Sequence, residues 1–211
     1  MAGVGPGRLH ALIDGVFAIA LTLLVLDLPR PAHSSELVHS LLHQWPSYVA
    51  YLVSFVTLGI LWIEHLGMMS AVRAIDRRFL ERTLAFLLFI SIIPWPTALA
   101  AEYATGTVSQ ARATAVLYGA TMLMMGVCFA WGWRYLSRNA QLVAESARPA
   151  FRAGTRRALT GGLVYLGAIA VAFLSPLASF AIDAAVAVYF AASRSRVPEL
   201  IVKSAVAGGP E

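Results

Sequence analysis

Six apolar runs, at about residues 11–28, 47–70, 80–101, 112–136, 158–174 and 176–193, take up most of this 211-residue chain. A helix rises 1.5 Å per residue, so about 20 apolar residues cross the hydrocarbon core of a bilayer. Inside that core only a helix or a closed barrel satisfies its own backbone hydrogen bonds. Runs of this length predict an all-α integral membrane protein with six transmembrane helices. Composition agrees, with 59% hydrophobic and 13% charged residues and a mean hydropathy of +0.72. The longest polar stretch, Ser137 to Arg157, has only the length of a loop. One membrane domain over residues 1–211 is therefore expected, with no separate soluble catalytic domain.

The last two runs are divided only by Ser175-Pro176. Proline removes a backbone donor and breaks the helix, so the pair reads as a tight helical hairpin rather than one long kinked helix. With six spans and the N-terminus inside, every Lys and Arg except Arg30 and Arg112 falls on the cytoplasmic side. That asymmetry predicts two cytoplasmic termini. The pI near 9.8 then reflects topology rather than nucleic-acid binding, and no nucleic-acid partner is expected. Asp14 and Asp27, with a weak basic region and no small-residue cleavage site before Pro29, argue that the first run is retained rather than cleaved as a signal peptide. The lone Cys128 sits among apolar residues, reads as a small buried hydrophobe and makes no intrachain disulfide.

Trp45, Tyr48 and Tyr51 near the outer start of the second span, and Trp131, Trp133 and Tyr135 near the inner end of the fourth, are expected as interfacial aromatics. Pro94 and Pro96 predict a break in the outer half of the third span, read as a packed kink ahead of a moving hinge.

Polar residues inside the apolar runs are the candidates for function, because a charge in hydrocarbon is costly. Asp14 stands near the start of the first span and must face protein or water. Further along the same helix, Ile19, Leu23 and Leu26 form an i, i+4, i+7 stripe, with Thr22 beside Leu23. Such a stripe is either a lipid-facing or packing surface or, if copies of the helix surround an axis, a constriction that ions cross only when it wets. Thr22 would there offer an oxygen to a partly dehydrated cation. On the second span, Trp62 and His65 share a face at i, i+3, while Glu64 points away. Arg8, Asp14 and His65 are expected to satisfy one another near the cytoplasmic ends of the first two helices. Asp183 in the sixth span is expected to pair with a neighbouring helix. The five histidines show no zinc-site spacing, so no metal is expected. No Gly-x-Ser-x-Gly, His-Glu-x-x-His or phosphate loop occurs, so the chain does not read as an enzyme and needs no cofactor.

The run RLHALIDGVFAIALTLLVLD from Arg8 to Asp27 resembles the signature of the bacterial relatives of transmembrane protein 175, the endolysosomal potassium channel family. That family opens with Arg-x-x-x-Phe-Ser-Asp followed by a Gly-Val-Phe-Ala-Ile-Ala-like helix. Arg8 and Asp14 match at that spacing, and Trp62 with His65 resembles the family's Trp-x-x-His pattern. The motif's Phe and Ser are Leu12 and Ile13 here, which removes one hydroxyl from the polar cluster. The resemblance implies a homotetramer of six-helix subunits embedded in lipid. Its four first helices would line a central cation pathway without a backbone-carbonyl filter, and the constriction would fall on Ile19, Leu23 and Leu26. The resulting expectation is a modestly selective potassium-permeable channel in which permeant K+ crosses a hydrophobic barrier. The alternatives are an ion- or proton-coupled secondary transporter using Asp14 and His65, or a non-conducting membrane subunit.

Overall fold

The computed structural model describes residues 6–31 and 37–192. In chain order its helices are α1 (Pro6–Leu26), α2 (Leu37–His43), α3 (Trp45–Ser70), α4 (Arg77–Ile92), α5 (Pro94–Tyr103), α6 (Val108–Arg138), α7 (Arg148–Ala172) and α8 (Pro176–Ala192). Two short 3-10 turns, Ala140–Leu142 and Glu145–Ala147, connect α6 to α7. Four stretches are long and apolar enough to cross a bilayer: Gly7–Leu26, Trp45–Ser70, Arg77–Tyr103 and Val108–Arg138. α7 has the length, at 25 residues, but its first half carries Arg148, Arg152, Arg156 and Arg157. α8 is apolar and shorter, at 17 residues. The seven-residue α2 has no buried side chain and is too short for its apolar pattern to announce it.

The helix starts follow local chemistry. Asp76 caps α4 by accepting from the Phe79 amide at 2.8 Å. Thr107 and Gln110 cap α6 reciprocally, each side chain accepting from the other's backbone N–H. Prolines stand in the first turn of α3, α5 and α7, where their missing N–H has no helical partner to lose. α8 likewise begins on Pro176, and the Ser175 hydroxyl accepts from the Ala178 amide at 3.3 Å. Across this hairpin, Ser179 donates to the Ala168 carbonyl at 2.9 Å, closing α7 against α8.

The third apolar run is two helices, α4 and α5, joined at Ile93. Pro94 cannot donate to the Ile90 carbonyl, which takes the Ile93 amide at 3.4 Å instead. The bend is enclosed: Ile90, Ile93, Pro94, Pro96 and Thr97 are all buried. Thr97 donates back to the Ile93 carbonyl at 2.8 Å. Ser54 of α3 lies 2.8 Å from the Thr97 hydroxyl and 3.0 Å from that of Tyr118 on α6, so three helices meet at the break. This is a packed kink.

α1 buries one stripe, Leu9, Ile13, Phe17, Ala20 and Leu24, against α3 and α4. Phe17 meets Phe86 of α4 with ring centroids 6.0 Å apart. The most extensive helix pairing is α6 with α7. At its centre Trp133 lies 5.2 Å from the Phe151 ring and edge-on to Phe129 at 6.0 Å. Gly154 makes room for that indole, since a Cβ there would fall 2.5 Å from the ring. Trp133 is consequently 1% exposed and is not an interfacial anchor. Its neighbours Trp131 and Tyr135 hold the Arg82 guanidinium at 4.5 and 4.1 Å from their ring centroids, and the Tyr135 hydroxyl donates to Asp76.

The α3–α4 and α6–α7 connections are tied to each other. The Arg73 amide donates to Leu142 O at 2.8 Å and the Ala144 amide to Ala71 O at 3.0 Å, around an antiparallel bridge of Val72 with Val143. This pairing brings the arginine-rich loops, with Arg73, Arg77, Arg138 and Arg148, to one end of the helices.

Candidate pore-lining site

Opposite its buried stripe, α1 presents a face that none of the other described residues covers. Ile19 is 60% exposed and Leu26 66% exposed, and Thr22, Leu23 and Gly15 are exposed with them. The Thr22 hydroxyl donates to the Ala18 and Ile19 carbonyls, both at 2.9 Å. Its proton is thereby turned inward, leaving oxygen lone pairs on the uncovered side. This face is aliphatic, carries one hydroxyl near the C-terminal end of the helix and has no charge from Gly15 to Leu26.

Asp14 lies at the edge between the two faces, where its Oδ1 accepts from Trp62 Nε1 of α3 at 2.9 Å. The carboxylate thus ties the start of α1 to the last third of α3, with the two helices antiparallel. His65, one turn beyond Trp62, takes a different environment. It is buried, parallel to Phe86 with centroids 5.5 Å apart, and flanked by Phe17 and Phe129 at 6.5 and 6.2 Å. Arg8 is exposed and forms neither an ion pair with Asp14 nor a hydrogen bond with His65. The expected Arg8–Asp14–His65 cluster is therefore not assembled within one chain, because aromatic rings from α1, α4 and α6 enclose His65. Leu12 faces outward and Ile13 is 2% exposed in the buried stripe of α1. Neither takes part in a polar network, and at Ile13 an aliphatic side chain suits the buried position.

Two buried carboxylates lie off the α1 face, and only Asp183 departs from its reading in the sequence. Glu64 is buried and faces α7, where Arg157 Nε lies 3.7 Å from its Oε1 and the guanidinium sits over the Phe190 ring at 4.9 Å. The signal for this pair was present: Glu64 points off the Trp62–His65 face, and a carboxylate there requires a cation from a neighbour. Asp183 was expected to pair across to another helix, yet both of its carboxylate oxygens are buried without a hydrogen-bond partner among the described residues.

Residues 8–94 match the family described as Endosomal/lysosomal potassium channel TMEM175. A potassium channel of Streptomyces collinus is 38% identical over 195 residues, covering 91% of this chain and 94% of that protein. A potassium channel of Chamaesiphon minutus is 37% identical over 190 residues, covering 88% and 93%. The crystal structure of a lysosomal potassium-selective channel TMEM175 homolog from Chamaesiphon minutus superposes with a TM-score of 0.80 at 36% identity, covering 88% of this chain and 96% of that one. An all-helical fold with long apolar spans and this likeness defines the class: a multi-pass membrane channel rather than an enzyme. The chain belongs to the TMEM175 potassium channel family.

Proposed function

We propose that this protein is a potassium-permeable channel of the bacterial inner membrane, a homotetramer of six-span subunits whose four α1 helices surround the ion path. The observation that carries the reading is the two-faced α1. One side is packed into its own subunit, and the other leaves Ile19, Leu23 and Leu26 bare at i, i+4, i+7. Around a four-fold axis those side chains form stacked aliphatic rings, a barrier of dehydration rather than of charge. A large, weakly hydrated cation crosses such a barrier more easily than sodium, which gives modest preference for potassium. The Thr22 oxygens would face that cation between the Ile19 and Leu23 rings. Both termini are cytoplasmic in this reading, with the arginine-rich loops on the same side. A carrier built on Asp14 and His65 is less well supported, since the two share no hydrogen bond and His65 is enclosed by aromatic rings.

The test is flux and current from purified protein in potassium-loaded vesicles and planar bilayers. Ile19→Ala and Leu23→Ala are expected to raise conductance and to move the potassium/sodium reversal potential towards zero. Unchanged currents and reversal potentials in both variants would overturn the reading, and flux that saturates and requires a coupled gradient would favour the carrier.

A further inference from the structure

The first half of α7 carries positive charge with little to balance it. Arg148, Arg152 and Arg156 stand at i, i+4 and i+8, so they share one helix face along about 12 Å of its length. All three are exposed. Arg148 reaches Glu145 at 3.5 Å, a carboxylate that is itself exposed. Arg152 and Arg156 have no acidic partner among the described residues. Arg157 turns elsewhere, to Glu64 and the Phe190 ring. Further along, the same face becomes aliphatic: Leu159, Leu163 and Leu166 continue it at i+3, i+7 and i+10 from Arg156, and all are exposed. The opposite face, with Gly154, Gly161, Tyr165 and Ala168, is the one buried against α6 and α8.

Like charges one helical turn apart repel, and a cation at the start of a helix faces the positive end of its dipole. The first turn of α7 contains no acidic residue to offset either effect. An anion bound across the stripe removes both penalties. Side chains at i and i+4 stand about 5–6 Å apart at Cβ, close enough for two guanidinium groups to share one phosphate. The leucines narrow the choice of anion. A soluble phosphate has no use for them, whereas a phospholipid carries an acyl chain directly beneath its phosphate, in the same order as arginine then leucine along α7. A net negative headgroup suits unbalanced guanidinium groups better than a zwitterionic one, whose own cation competes for the phosphate. We propose that this face of α7 binds an anionic phospholipid, its phosphate held by Arg152 and Arg156 and one acyl chain lying along Leu159, Leu163 and Leu166. The inference does not depend on how ions cross the protein, since the uncovered face of α1 plays no part in it.

Purified full-length protein in a neutral detergent is titrated with dioleoylphosphatidylglycerol, and binding is read from the thermal unfolding midpoint and from lipid adducts in native mass spectrometry. Dioleoylphosphatidylcholine, with the same chains and no net charge, and glycerol phosphate, with an anionic head and no chains, serve as controls. The expected result is a concentration-dependent rise in midpoint with phosphatidylglycerol alone. Combining Arg152→Gln with Arg156→Gln is expected to weaken binding by about tenfold or more through loss of the charge-assisted bonds. Arg77→Gln with Arg78→Gln removes the same charge from the start of α4 and is expected to leave affinity within about twofold, as a few tenths of a pairwise surface term. Leu163→Gln, which keeps both arginines and makes the chain surface polar, is expected to weaken binding by about threefold or more, and it decides the matter if the Arg152 and Arg156 double variant does not fold. No shift in the wild type, an equal shift with phosphatidylcholine or with glycerol phosphate, undiminished binding in the deciding variant, or equal weakening by the α4 pair would each overturn the proposal.

Discussion

At the scale of single residues, the chain uses polar side chains as ties between helices. Trp62 and Asp14 give the clearest case, one N–H to carboxylate bond joining α1 to α3. Trp62→Phe keeps an aromatic ring and deletes the donor, and is expected to cost about 1.5–3 kcal/mol, the net worth of a hydrogen bond to a charged group. A fall in the thermal unfolding midpoint in detergent, absent in the conservative control Leu163→Ile on an exposed part of α7, would register it. The Gly154 and Trp133 contact is steric instead. Any side chain at 154 must displace an indole whose ring lies 2.5 Å from where Cβ would be. Gly154→Leu is expected to destabilise the protein by about 1–3 kcal/mol through overpacking. Trp133 fluorescence should shift as the ring is forced from its place.

At the scale of elements, the α4–α5 break shows how a membrane helix tolerates proline. The direction of the hydroxyl relay follows from donor count. Thr97 gives its proton to the Ile93 carbonyl, Ser54 gives its own to Thr97, and Tyr118 gives its own to Ser54. Ser54→Ala therefore strands the Tyr118 hydroxyl in a buried site and is expected to cost about 1–3 kcal/mol. Adding Tyr118→Phe removes the stranded group. The double variant is thus expected to be more stable than Ser54→Ala alone, and thermal unfolding of the three variants would show it. A double variant less stable than Ser54→Ala would mean the relay does not brace the kink. α1 is the complementary element, packed on one face and bare of described residues on the other.

For the whole molecule, the consequence of that bare face under the proposed function is assembly. Native mass spectrometry is expected to give four copies per particle. With Cys128, the sole thiol, changed to Ala, Ile19→Cys is expected to yield covalent dimers on oxidation because its counterparts would meet around the axis. A monomeric particle, or cross-linking no faster than for a cysteine placed at Leu163 on exposed α7, would contradict the assembly. The paired loops, bridged at Val72 and Val143, gather arginines at one end of the molecule, the end the proposed orientation puts in the cytoplasm.

The sequence by itself determined which segments are long and apolar, and where Pro94 and Pro176 break them. These are local properties, set by backbone donors and by transfer of each residue into hydrocarbon. The aliphatic stripe Ile19, Leu23 and Leu26 was legible for the same reason, as a helical period. Only the tertiary structure decided which face of α1 is packed, that Trp133 fills the space beside Gly154 rather than anchoring at the interface, that Glu64 meets Arg157, and that Asp183 is buried without a hydrogen-bond partner among the described residues. Each of those depends on which neighbour arrives at a given depth and angle, and periodicity along one helix carries no information about the helix packed against it.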